Sequence, residues 1–177
     1  MSILNIIFNQ RNTTINFDKW MNEDLRVLFV TGLSGGGKTT TSIALAELLD
    51  VKVVSLDQYI RPLVRKEFGL KQPNYERAYY EQGIEILLKD NPYGRLIIEG
   101  AHIEDFDPSK LKDHALIIVR TSLIASCWRA IKRNLQKEHL QKHNVKTTKQ
   151  WISNLTMALR YNLKNFRKHQ QFVSHFG

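Results

Sequence analysis

One segment of eight residues combines the glycines, the lysine and the hydroxyl group that phosphate binding requires. Residues 32–39 read GLSGGGKT, which fits the P-loop pattern G-x-x-x-x-G-K-[ST]. Gly32 and Gly37 allow the backbone to turn tightly, so that the N–H groups of the loop point inward and form a nest for an anion. A helix that begins near Gly37 adds the positive end of its dipole.

The motif predicts a separate role for each of its polar residues. Lys38 would reach the β- and γ-phosphates of a nucleotide, and the Thr39 hydroxyl would bind Mg²⁺. The remaining predicted nucleotide-binding residues lie in the loop and the first helical turn: Gly32, Ser34, Gly35, Gly36, Gly37 and Thr40. A glycine-rich linker before a helix would not require lysine and threonine at these positions. The predicted cofactors are therefore ATP and Mg²⁺.

The elements around the motif have the order that it needs. An apolar, β-rich run over 26–31 precedes the loop, and apolar residues at mostly helical spacing follow it over 40–49. Further apolar runs predict strands over 51–55, 95–99 and 115–120. The apolar residues of the last two runs are uninterrupted, which is typical of strands that are buried on both faces of a sheet. Strands that alternate with helices predict one α/β domain over 1–177, a P-loop NTPase fold with three layers (α/β/α) and a mostly parallel sheet.

The rest of the chain predicts the connecting elements. Residues 1–25 form an N-terminal extension in which 3–8 and 13–17 could pair as a hairpin. Arg61-Pro62 predicts a break before a short helix that ends at Gly69. Longer helices are predicted over 73–89, 122–141 and 148–170.

Two acidic residues are placed to complete a phosphate-transfer site. Asp57 follows the second predicted strand and Glu99 ends the third, and ligands of open α/β sheets bind at the carboxyl ends of strands. Asp57 could instead cap a helix or form an Asx turn. Glu99 is the stronger candidate, because carboxylates are rarely buried without a partner.

Three segments, residues 31–40, 54–59 and 96–101, resemble the P-loop small-molecule kinases, most closely the uridine kinase-like nucleoside and metabolite kinases. The resemblance implies a nucleoside/nucleotide kinase-like fold, and it implies that Asp57 serves as base or orienter beside the acceptor hydroxyl. It implies that Glu99 holds the Mg²⁺ water shell or the substrate. The uridine kinases usually carry an aromatic residue two positions after this aspartate, and Tyr59 occupies that position here. Residues 32–35 also resemble adenylylsulfate kinases, whose Asp-Gly-Asp is absent here.

A lid-type helical region is predicted over 122–145, because kinases neutralise the transferring phosphoryl group with arginines and exclude water. Arg129 and Arg133 are four residues apart and can face one ligand. The resemblance likewise implies an Arg-x-x-x-Arg pattern after the fourth strand. The alternative is a solvated amphipathic helix with Trp128 and Ile131 on its apolar face.

The acceptor site is predicted less strongly. Arg65 could bind an anionic group of the acceptor, Tyr59 and His102 are candidate substrate contacts, and each could equally be a surface residue. Tyrosines at positions 75, 79 and 80 could line an acceptor pocket or fill the core. The last helix presents an apolar stripe that is predicted to pack on the sheet: Ile152, Leu155, Leu159, Leu163 and Phe166.

Composition and charge limit the classes of protein. The chain has 177 residues, one cysteine (Cys127) and a net charge of +9. Because no signal peptide and no membrane-spanning run are recognisable, we expect a cytoplasmic protein without a disulfide. The basic residues concentrate between Arg129 and Lys168, which favours nucleotide binding with a solvated helical surface, and nucleic acid as second choice.

Together the residues predict an ATP-dependent phosphotransferase that acts on a hydroxyl of a small molecule, such as a nucleoside or nucleotide. The alternative is an NTP-binding switch or a nucleic-acid-associated ATPase. The identity of the acceptor and the oligomeric state do not follow from the sequence.

Overall fold

A computed structural model describes residues 12–22, 25–69, 78–90, 94–111, 114–135 and 148–176. Within these residues, five strands form one sheet in the order β1-β5-β2-β4-β3. Their bounds are β1 (Thr13–Ile15), β2 (Val27–Gly32), β3 (Lys52–Ser55), β4 (Leu96–Glu99) and β5 (Ala115–Val119). Strands β2 to β5 are parallel, and β1 pairs antiparallel with β5 at the edge.

Helices occupy both faces of the sheet. They are α1 (Phe17–Met21), α2 (Lys38–Leu49), α3 (Arg61–Phe68), α4 (Tyr80–Asp90), α5 (Pro108–Leu111), α6 (Leu123–Leu135) and α7 (Thr148–Ser174). A π-helical turn (Leu56–Ile60) leads into α3, and a 3₁₀ segment (Ala101–Asp105) follows β4. In the described part of the chain, no helix combines enough length with enough apolar character to cross a lipid bilayer.

The alternation of side chains along β2 separates two cores. Val27 and Phe29 face one core, which contains residues of α3, α4 and the end of α7. Leu28 and Val30 face the other, where Trp20 of α1 and Leu45 of α2 are fully buried. Because successive side chains of a strand point to opposite faces, a sheet covered on both sides needs the uninterrupted apolar runs of this sequence. The predicted three-layer α/β/α class is confirmed.

The parallel register determines which loops meet. Glu99 at the end of β4 lies beside Val30 of β2 on one side and beside Ser55 of β3 on the other. The loop after β2, the turn after β3 and the residues after β4 therefore open at the same edge of the sheet. β5 pairs with β2 on one side and with the edge strand β1 on the other.

One predicted element boundary is wrong, and two other predictions fall outside the described residues. Arg61 is helical, with φ −59° and ψ −48°, so the chain does not break before Pro62. The π-helical turn continues directly into α3, whose first turn accommodates a proline that lacks an N–H. β1 pairs with β5, whereas the segment 3–8 predicted as its hairpin partner lies outside the described residues, as do positions 73–77 of the predicted helix 73–89.

The buried face of α7 also differs from the prediction. Ile152 and Leu163, two members of the predicted apolar stripe, are 52% and 54% exposed. Asn162, His169 and Phe172 are buried instead. His169 lies 2.7 Å from the buried Glu104, so the buried face of this helix includes a polar contact that the apolar stripe does not predict. The side chain of Leu155 lies outside the described residues.

Replacing Gly83 with alanine should destabilise the protein, although Gly83 lies within α4. Intrinsic helix propensity favours alanine by about 1 kcal/mol. The added Cβ, however, would lie 2.6 Å from Val64 Cγ2 and 2.9 Å from Ile60 Cγ2, and overpacking of this kind costs about 1–3 kcal/mol. We expect urea denaturation to show a net loss of about 1 kcal/mol. Gly94→Ala, where the new Cβ has no described neighbour within 4 Å, is the control, and a stabilised Gly83→Ala variant would contradict the prediction.

Candidate active site

The loop between β2 and α2 has the backbone of a phosphate nest. Gly35 and Gly37 have φ values of +76° and +101°, which residues with a Cβ adopt at a cost. The N–H of Gly36 donates to the carbonyl oxygen of Leu33 at 2.9 Å and closes the turn. Because α2 begins at Lys38, directly after Gly37, its N-terminus points into the same loop.

The side chain of Lys38 reaches back across the phosphate loop that precedes it. Its Nζ donates to the carbonyl oxygen of Leu33 at 3.1 Å, so the ammonium group is held over the anion nest. A nucleotide phosphate placed in the nest would be within reach of this charge. The arrangement agrees with the role that the sequence predicts for Lys38.

Thr39 and Glu99, which the sequence predicts as the Mg²⁺ ligands, are in direct contact. Thr39 Oγ1 donates to Glu99 Oε2 at 3.2 Å, across 60 residues of sequence. Glu99 is 8% exposed and is therefore a buried carboxylate with a polar partner. A hydroxyl and a carboxylate are hard oxygen donors, and Mg²⁺ commonly uses one or two such groups together with substrate phosphates. The residues present fit that ion.

The P-loop forms one wall of an open cleft of about 590 Å³. Asp57, Glu99 and Arg129 also line this cleft, so the predicted phosphate, metal and acceptor residues share one cavity. Tyr161 of α7 lines it as well and was not predicted. Of the described residues, the three predicted substrate contacts, Tyr59, Arg65 and His102, do not line the cleft. Tyr59 lies instead beside Lys52, whose Nζ is 5.9 Å from the centre of its ring.

The predicted lid helix packs against the P-loop. Arg129 Nη1 donates to the carbonyl oxygen of Gly35 at 3.1 Å, and Ser126 Oγ donates to that of Ser34 at 2.5 Å. Arg129 thus lies beside the phosphate nest, as predicted. Arg133 belongs to the same helix, but its side chain lies outside the described residues. Trp128, expected on an apolar face, is 65% exposed.

Asp57 lies in the π-helical turn after β3 and lies close to two basic side chains. Its Oδ1 is 3.8 Å from Arg61 Nη1 and 3.9 Å from His102 Nε2. The side chain is 47% exposed and therefore remains open to a ligand in the cleft. Arg61 reaches Asp57 because the helix is continuous through position 61, which the sequence did not predict.

His102 connects the acceptor side of the cleft to α7. Its Nδ1 lies 2.8 Å from Asp105 Oδ2, and Asp105 in turn pairs with Lys168 Nζ. The side chain of His102 is 13% exposed and is therefore only partly accessible to solvent. Asp105 and Lys168 were not predicted. For the contact between His102 and Asp105, the sequence offers one local signal, the spacing of three residues.

A second polar connection lies beneath the site, inside the protein. Thr31 Oγ1 at the end of β2 lies 3.0 Å from the carbonyl oxygen of Gly100 and 3.3 Å from Glu104 Oε1. The same carboxylate oxygen is 2.7 Å from His169 Nδ1. Because a carboxylate accepts hydrogen bonds, His169 serves as a donor to Glu104, and the single hydroxyl hydrogen of Thr31 is shared between Glu104 and the Gly100 carbonyl oxygen. This connection joins α7 to the strand that carries the P-loop.

Comparison with known proteins identifies the fold. No protein-family model matches the sequence, and no curated relative matches it. The structure is similar to shikimate kinase from Bacteroides thetaiotaomicron, with 17% identity, a TM-score of 0.53, and 90% of this chain and 84% of that chain covered. It is also similar to shikimate kinase from Acinetobacter baumannii in complex with shikimate, with 19% identity, a TM-score of 0.48, and coverage of 87% and 83%. The first similarity establishes a P-loop kinase fold.

Proposed function

We propose that the protein is an ATP-dependent phosphotransferase that moves the γ-phosphoryl group of ATP to a hydroxyl of a small molecule. The observation that carries this proposal is the contact between Thr39 and Glu99 in the cleft that Asp57 also lines. A phosphate nest alone supports only nucleotide binding. Adding a site for a metal ion and a carboxylate for the acceptor supplies what a kinase needs beyond that nest.

The nucleotide side of the cleft would act mainly through charge. The N–H groups of the loop and Lys38 hold the phosphates, and Thr39 and Glu99 hold Mg²⁺. When bound, Mg²⁺ neutralises charge on the β- and γ-phosphate oxygens. Arg129, and Arg133 on the same helix, supply positive charge to the transferring group. Because Lys38 and Arg129 already lie at the nest before the reaction, little reorganisation is needed as charge develops.

On the acceptor side, Asp57 would accept the hydroxyl hydrogen bond of the substrate. The acceptor oxygen forms a bond to the γ-phosphorus, the bond from that phosphorus to the β,γ-bridging oxygen breaks, and ADP leaves. The hydroxyl proton passes to the Asp57 carboxylate. Arg61 and His102, at 3.8 Å and 3.9 Å, restrict the orientation of this carboxylate.

For the class of acceptor, we propose a nucleoside or nucleotide. The support is the resemblance of residues 31–40, 54–59 and 96–101 to uridine kinase-like enzymes. An assay of ADP formation across nucleosides, nucleotides, sugars and hydroxy acids, shikimate included, tests the proposal, with ³¹P NMR identifying the product. If ATP is hydrolysed at one rate whichever acceptor is present, the proposed transfer is wrong.

Replacing Thr39 with alanine should raise the Mg²⁺ concentration that gives half-maximal activity by about tenfold or more, because one oxygen ligand is removed. Thr39→Ser keeps the hydroxyl and is the matched control. Initial rates measured against MgCl₂ at fixed ATP provide the comparison. An unchanged Mg²⁺ requirement in Thr39→Ala would remove Thr39 from the metal site.

A further inference from the structure

Positive charge is distributed very unevenly along the chain. Residues 121–177 contain eleven lysines and arginines but a single acidic residue, Glu138, whereas residues 1–120 contain fifteen basic and sixteen acidic residues. The whole excess of positive charge therefore belongs to the last third of the chain. ATP and its metal ion do not require so extended a basic region, because Lys38 and Arg129 already lie at the phosphate nest.

The described part of this region places its charges on two adjoining helices. Arg129 and Lys132 are exposed on α6, and Arg160, Lys164 and Arg167 are exposed on α7. The two helices contact each other, so that the five exposed charges lie on neighbouring elements. We call these five residues the basic surface. Neither helix contains an acidic residue that would neutralise it.

Two exposed aromatic side chains lie on the same two helices as the basic surface. Tyr161 is 43% exposed and lines the cleft, and Trp128, next to Arg129, is 65% exposed. Tyr161, Lys164 and Lys168 are spaced by three and four residues and therefore follow one stripe along α7. Tyr161 and Lys168 also line a small cavity of about 30 Å³ that adjoins the acceptor side through Ala101 and His102.

We propose that the basic surface binds a single-stranded nucleic acid and that the terminal nucleoside of this strand enters the cleft as the acceptor. The second half of this inference rests on the proposed function. Lysines and arginines contact the backbone phosphates, while unpaired bases stack on Tyr161 and Trp128. Duplexed bases would not be free to stack on these rings, which favours a single strand.

A lipid surface is the other polyanion that basic and apolar side chains can bind. The geometry disfavours it, because Arg129 and Tyr161 line a concave cleft that a flat bilayer cannot enter. A flexible strand can follow both the exposed helices and the cleft. Anionic vesicles are therefore included in the test as a competitor.

Binding is measured by fluorescence anisotropy with a labelled twelve-nucleotide single strand over a range of salt concentrations. We expect affinity to fall steeply with salt, and the variant Arg160→Ala/Lys164→Ala/Arg167→Ala to reduce the log–log slope by about one for each phosphate that is no longer neutralised. The variant Lys19→Ala/Lys66→Ala/Lys89→Ala removes the same charge from exposed positions elsewhere and should bind as the parent does. Equal weakening in both variants, or displacement by phosphatidylserine vesicles but not by unlabelled strand, would overturn the proposal.

Stacking is tested at Tyr161. Tyr161→Phe keeps the ring and should retain affinity, whereas Tyr161→Ala should bind about tenfold more weakly. Equal affinities of the two variants would overturn stacking at this position.

Transfer is followed with γ-³²P-ATP and 5′-hydroxyl acceptors of one to eight nucleotides. We expect kcat/KM to rise with strand length in the parent, and this length dependence to disappear in the Arg160/Lys164/Arg167 variant while the single nucleoside reacts at the parental rate. A strand that stimulates ATP hydrolysis without becoming labelled would overturn its role as acceptor. Salt-dependent binding of the strand with no ATP turnover on any acceptor would instead contradict the proposed function and leave the binding surface supported.

Discussion

Replacing Lys38 with alanine is expected to lower kcat/KM for phosphoryl transfer by about 10²–10³-fold, the usual effect of removing one preorganised group that stabilises developing charge. The Lys38 ammonium lies over the nest, where Nζ donates to the carbonyl oxygen of Leu33 at 3.1 Å. No other described lysine lines the cleft, and the guanidinium of Arg129, which does, is engaged with the carbonyl oxygen of Gly35. Steady-state rates with saturating acceptor provide the measurement.

The fold should survive this change, because Lys38 is only partly buried and its ammonium group donates to a loop carbonyl. Circular dichroism and thermal melting of Lys38→Ala should therefore match those of the parent. Lys52→Ala, at an exposed position of β3, is the control for removal of a positive charge and should retain full activity. Full activity in Lys38→Ala would overturn the assignment of the loop as a catalytic phosphate site.

Replacing Asp57 with asparagine should reduce transfer by about 10²–10⁴-fold, the range for removal of a positioned general base, while ATP affinity stays near the parental value. The reason is the location of the side chain. It contacts Arg61 and His102, and it lies outside the loop that would hold the phosphates. Asparagine keeps the shape and lacks the negative charge that accepts the proton.

Two assays separate the outcomes for Asp57. Isothermal titration with a non-hydrolysable ATP analogue reports nucleotide binding, and single-turnover kinetics report transfer. Asp50→Asn, at an exposed position after α2 whose left-handed backbone (φ +51°) suits asparagine, is the matched control. If Asp57→Asn loses nucleotide binding together with transfer, the carboxylate serves the metal or the fold and not the acceptor.

The nucleotide half of the site could be predicted because its residues are close in sequence or lie at strand ends. Gly32 to Thr39 form one continuous motif, and Glu99 ends a strand that is adjacent to β2 in the sheet. Parallel pairing then brings Thr39 and Glu99 to a distance of 3.2 Å. The carboxyl-end rule for open sheets contains the physics needed for this prediction.

The acceptor half could not be predicted in the same way, because it depends on how a helix is rotated about its axis. The apolar stripe of α7 predicts one buried face, but the face that is buried carries Asn162, Phe172 and the contact of His169 with Glu104. In this orientation Tyr161 lines the cleft, and Lys168 lines the small cavity beside it. A pattern of hydrophobic residues carries no information about a buried polar partner that lies 65 residues away.

The connection through Thr31, Glu104 and His169 also has a consequence for how the protein is made. Glu104 accepts hydrogen bonds from a residue synthesised 73 positions earlier and from one synthesised 65 positions later. A ribosome that has completed the sheet has therefore not yet released the helix that provides the last buried donor. Since a buried carboxylate without its partner is costly, the P-loop strand reaches its final environment only after α7 has left the ribosome. Nascent chains stalled before residue 169 should consequently hold nucleotide poorly, even though every residue of the phosphate loop has long been synthesised.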